Sequence, residues 1–147
     1  MREIPDTLTV LGSAFVVAAF AACVDAGTYW QLATNTYDYP AEPALCFAID
    51  GIDWRAEQHC PMPEAAHEAA MRVAALAALP DEWTVVMLDA GDVDGAAGMT
   101  VPHDRRSFVA DAFDPMEIAA HELMHAALWQ EAGDTDNQHA DPRWGLL

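Results

Sequence analysis

Residues 119–141 read AAHELMHAALWQEAGDTDNQHAD, and the organisation of the chain turns on whether the first half of this stretch is a helix. The flanking residues say that it is. Asp114 can accept hydrogen bonds as an N-cap, Pro115 takes the first helical position, where an N–H has no partner to lose, and Glu117 follows the cap at capping-box spacing. Gly133 is placed to end the helix in the left-handed conformation. Neither proline nor glycine interrupts residues 116–132. In a helix over 115–132, His121 and His125 project from one face, a single turn apart.

Two imidazoles so spaced can reach one tetrahedral ion, and Glu122 then lies beside a metal-bound water. Zinc lowers the pKa of such a water to about 7, which lets a carboxylate act as general base at neutral pH. A hydrolytic zinc site also needs a third protein ligand and an open fourth position. Beyond Gly133 the chain offers Asp134, Asp136, His139 and Asp141. A reversal at Gly133 would return His139 to the metal, and imidazole is the more usual zinc ligand. The expected set is therefore one Zn²⁺ on His121, His125 and His139, with Asp136 as the alternative ligand and Asp134 or Glu131 behind it. Asp136 or Asp141 can instead accept a hydrogen bond that orients an imidazole. The plain alternative is a helix with two ordinary histidines and a solvated tail histidine.

Working outward, EAAHEAAMRVAALAAL (64–79) is rich in strong helix formers, follows Pro61 and Pro63, and stops at Pro80, which predicts a backing helix. His67-Glu68 lies on its surface face, and Met71 stands where a second histidine would be needed to repeat the motif. EWTVVML (82–88) reads as a central strand, and SFVADAF within 99–113 as a second one. DAGDVDG (89–95) does not align with an EF-hand loop and reads as a solvated turn. Residues 23–62 look irregular, with CFAI (46–49) as a short strand. The tryptophans read as packing residues.

A capped helix bearing His121-Glu-Leu-Met-His125 behind two strand-like segments resembles the zincin metallopeptidases, over roughly residues 64–141. The resemblance implies a minimal α+β domain, residues 63–147, with a backing helix, a small sheet and an active-site helix. It also implies a peptide or protein substrate, bound by strand addition if SFVADAF is an exposed edge. No subfamily fits. Metzincins would want glycine at 128 and histidine at 131, where Leu128 and Glu131 stand, and no glutamate follows Glu131 to serve as a gluzincin ligand. Zincins often stabilise the oxyanion with tyrosine or histidine. No tyrosine follows Tyr39, which leaves His103 and Arg105, with Arg106, as the nearest candidates.

Composition sets the outer bounds. With 24 acidic residues against six arginines and no lysine, a net charge of −18 argues against binding nucleic-acid phosphates or an anionic membrane surface through charge. LTVLGSAFVVAAFAA (8–22) is uncharged, shorter than the about 20 residues of a membrane-spanning helix, and of signal-peptide length. It runs into Phe20-Ala21-Ala22-Cys23, which resembles a lipobox, although Glu3 and Asp6 make the leader poorly basic. The expectation is a leader over 1–22, export, and membrane attachment through a lipidated Cys23; the alternative is a cytosolic chain that keeps residues 1–22. Lipidation would leave Cys46 and Cys60 as a disulfide pair. The resulting expectation is an exported zinc metallopeptidase. Its rival is a non-enzymatic surface protein with a closed, structural zinc site.

Overall fold

The computed structural model describes residues 42–89, 91, 95–111 and 114–147. The expected leader, Cys23, and Asp92 and Asp94 of the acidic loop lie outside these residues. What is described is a mixed α+β domain: one five-stranded sheet with two helices on one face.

Residues 44–56 are not irregular. They form a hairpin of β1 (Ala44–Ile49) and β2 (Ile52–Ala56) that belongs to the same sheet as everything downstream. Asp50 and Gly51 close it with φ of 55° and 77°, the pair of positive angles that matches the twist of a two-residue hairpin. Cys46 and Cys60 are joined, which ties β1 to the segment leading into α1 (Pro63–Ala74). That helix ends at Ala74, short of the expected Leu79. Leu76 and Ala77 both donate to the Val73 carbonyl and tighten the last turn, before Pro80 steers the chain towards β3 (Trp83–Met87).

The sheet order is β1-β2-β3-β5-β4. Strands β2, β3 and β5 (Arg106–Val109) run parallel, while β1 and β4 (Gly98–Val101) lie antiparallel at the two ends. The expected second strand thus exists, but it is interior, paired on both sides. The edge beside the long helix is β4, over most of which the sequence reading assigns no element.

That helix, α2, spans Pro115–Ala132, with the Asp114 side chain accepting from the Glu117 N–H at 3.3 Å and Gly133 left-handed at φ 74°. Glu117 turns its own carboxylate to Arg72 of α1. Residues 122–128 of α2 are all buried, because three sides are covered: by α1, by β4 and β5, and by the chain after Gly133. The main core joins Ile52, Trp54, Val85 and Val109 of the sheet to Ala66, Ala70 and Val73 of α1 and Leu123, Met124 and Ala127 of α2. Alanines between the helices let their backbones approach closely. No helix among the described residues is long and apolar enough to cross a membrane.

Candidate metal centre

His121 and His125 leave α2 on one face, as their spacing requires. After Gly133 the chain doubles back, and residues 133–141 return His139 to that face. The Nε2 atoms of His125 and of His139 each lie 3.1 Å from Nε2 of His121. Two nitrogens bound to one tetrahedral zinc at about 2.0–2.1 Å would stand roughly 3.3 Å apart, so these two separations are compatible with a shared ion, and the three ligand atoms all lie within 4.8 Å of one another.

The chemistry of the rings fits as well. His125 Nδ1 is 2.7 Å from the Thr135 carbonyl, an oxygen that can only accept, so Nδ1 carries the proton and Nε2 presents a lone pair. Burial pushes His121 down to about 3, with His125 and His139 adding like-charge repulsion, and pushes His125 down to about 4. His139 is also lowered, chiefly by burial. Neutral imidazoles whose Nε2 atoms gather in this way are a site that a cation can satisfy. His121, His125 and His139 can hold a metal ion, and they are the only such cluster among the described residues.

The loop that carries His139 is organised by Asp136. Its carboxylate accepts from the backbone N–H of Ala140 at 3.0 Å and of Asp141 at 2.7 Å, and from Trp144 Nε1 at 2.8 Å. Burial opposes its ionisation, yet these donors outweigh burial and hold it below the usual carboxylate range. Asp136 is thus a hub of N–H donors and not a member of the imidazole cluster. Asp134 accepts from the Asp136 N–H, and Glu131 pairs with Arg143. Asp141 caps the 3₁₀ turn Pro142–Leu146 and grips Arg143, whose hydrogen bonds pull its carboxyl down to about 2. Trp144, in that turn, packs its ring against all three imidazoles. The sequence reading treated it as ordinary packing.

Glu122 points the other way from the loop, into β4. It is 3% exposed, and its Oε2 accepts from Thr100 Oγ1 at 2.8 Å. Burial raises its carboxyl to about 8, with the Thr100 hydrogen bond opposing. A cation held on the adjacent imidazoles would favour the ionised form.

The candidates for oxyanion contact lie elsewhere. His103 meets the edge of Trp129, one turn beyond His125. Arg105, left-handed at φ 50°, turns to Glu82 and the Asp81 carbonyl at the start of β3, and Arg106 pairs with Glu42. Neither arginine is engaged at the histidines. Comparison with protein-family models, with curated proteins and with solved structures returns no match.

Proposed function

We propose that the chain is a zinc-dependent hydrolase of peptide bonds, with His121, His125 and His139 as ligands and Glu122 as general base. One observation carries the reading: three imidazole Nε2 atoms converge on one face of α2, and the residue that follows the first of them is a buried glutamate. Structural zinc sites are almost always closed by four protein ligands. Here the fourth candidates are engaged otherwise, Asp136 by three N–H donors and Asp134 by one, so the described residues supply three ligands and favour an open position.

A zinc ion held by His121, His125 and His139 would supply a Lewis acid and would acidify a water at this site. Glu122 accepts the proton of the attacking water as the new C–O bond forms, then delivers it to the departing amine as the C–N bond breaks. Strand β4, at the sheet end beside α2, takes over from β5 the place where an extended substrate would pair. The Cys46–Cys60 disulfide favours an oxidising compartment and so supports export.

Elemental analysis of purified wild type, His121→Ala and His139→Ala tests the site, and hydrolysis of an unfolded protein substrate by wild type and Glu122→Gln tests the reaction. The expected result is about one zinc per chain, lost in both histidine variants, and hydrolysis abolished in Glu122→Gln with its zinc retained. Undiminished hydrolysis by Glu122→Gln would overturn the mechanism.

A further inference from the structure

The metal site does not end at its third ligand. We propose that Trp144 and Asp136 are its positioning residues, a clamp that holds His139 against His121 and His125; the assignment rests on the metal-site reading above.

Three observations converge on this pair. First, His139 and Asp136 both adopt left-handed backbone angles, φ 53° and 54°, which are uncommon for non-glycine residues and shape a tight turn here. The turn between them is closed by the His139 N–H on the Asp136 carbonyl at 2.8 Å. Second, the carboxylate of Asp136 gathers the N–H groups of the two residues after His139 and the indole N–H of Trp144, so one side chain fixes the exit of the turn and the ring at once. Third, that ring has its centroid 4.4 Å from His139, 4.6 Å from His125 and 4.9 Å from His121. A tryptophan that only filled space would have no reason to touch every ligand and also bond the residue that shapes the ligand's turn. It is half-buried and packs on the rim of the main core, with its indole N–H turned to Asp136.

The segment around Trp144 is itself anchored to both helices. Arg143 bridges Asp141 and Glu131 of α2, and Arg72 of α1 donates to the Leu147 carbonyl. His121 and His125 are placed by a buried helix and need no such help. His139 sits on a loop, and its position is only as fixed as this clamp. Loss of groups that orient a ligand from outside the first ring of contacts weakens metal affinity by about 10–100-fold.

The test measures zinc affinity by chelator competition, and the visible spectrum of the cobalt-substituted protein, for the full chain and its variants. Trp144→Ala is expected to weaken zinc binding 10–100-fold and to shift the cobalt bands. In the His139→Ala background, where the clamp has nothing to hold and the residual binding to His121 and His125 is read by direct titration with excess cobalt, the same substitution is expected to change affinity less than twofold. Trp144→Phe, which keeps a ring and loses the N–H, and Asp136→Asn separate packing from hydrogen bonding, and they serve if Trp144→Ala does not fold by circular dichroism. Both are expected to fall between wild type and Trp144→Ala. Wild-type affinity and spectrum in all three variants, or an effect of Trp144→Ala that is undiminished without His139, overturns the clamp. Wild type that takes up no zinc overturns the metal-site reading, and the clamp with it.

Discussion

Thr100 Oγ1 lies 2.8 Å from the carboxylate of Glu122 and 2.9 Å from its backbone carbonyl, so the edge strand holds the proposed base by two atoms of one residue. Behind it stand Ser107 Oγ, 3.0 Å from Thr100 Oγ1, and Trp83 Nε1, 3.0 Å from Ser107 Oγ. The Glu122 carbonyl can only accept, so the single hydrogen of Thr100 is directed at Glu122, and Ser107, which accepts from the indole N–H of Trp83, donates to Thr100. The direction of the buried chain is set at the Glu122 carbonyl, and it turns the Thr100 hydroxyl hydrogen towards Glu122.

Thr100→Val keeps the shape and removes the relay, leaving Ser107 and Glu122 buried without this partner. The expected loss is about 1–3 kcal/mol of stability in denaturant unfolding, together with reduced hydrolysis at unchanged zinc content. Thr100→Ser, which retains the hydroxyl, is expected to recover most of both. Full activity and stability in Thr100→Val would show that the relay is incidental.

Gly98, two residues earlier on the same face of β4, has no room for a side chain. A Cβ there would stand 2.6 Å from Ile118 Cγ2 and 2.8 Å from both Cγ and Oε1 of Glu122. Gly98→Ala is therefore expected to push β4 away from α2 at a cost of about 1–3 kcal/mol, read as a lower thermal midpoint. Zinc content should stay at the wild-type level, since no ligand lies on β4. A midpoint equal to wild type would contradict this close approach.

The chelator-treated protein should show a stability maximum near pH 6.5. Its three imidazoles are lowered when folded, His121 to about 3 and His125 to about 4, whereas unfolded they titrate near 6.5. Below that value the unfolded chain binds protons that the folded chain refuses, so stability falls as the pH drops. Glu122 acts in the opposite sense: raised to about 8 from 4.5, it keeps a proton that the unfolded chain has lost, so stability falls as pH rises between those values. Below pH 6.5 the imidazoles outnumber the carboxyl, and above it the carboxyl acts alone, with each uncancelled proton worth about 1.4 kcal/mol per pH unit. Urea midpoints across this range provide the check. A midpoint that declines from pH 5 to 6.5 would mean that the imidazoles are not buried as described.

What was legible in the sequence was local. Asp114, Pro115 and Gly133 mark the ends of α2 to the residue, because caps act through neighbours along the chain. The spacing of His121 and His125 follows from helical geometry alone. The hairpin was legible too and passed over: Asp50-Gly51 between CFAI and IDWRA is a turn signal that could have found β1 and β2. Strand β4 was not legible. Its four residues run straight into Pro102, and only pairing with β5 makes them a strand. Nor was the clamp, because Trp144 reaches Asp136 and the imidazoles through a fold of the loop that non-glycine residues hold in left-handed angles, which no local preference announces.

The joining of Cys46 to Cys60 has a further consequence for a protein proposed to cut peptide chains. The exposed Asp50-Gly51 turn lies between the two cysteines, at the tip of the hairpin. A proteolytic nick anywhere between them would leave both pieces covalently attached. Such a nicked molecule would migrate as one chain on a non-reducing gel and separate into two bands only when the sulfurs are reduced.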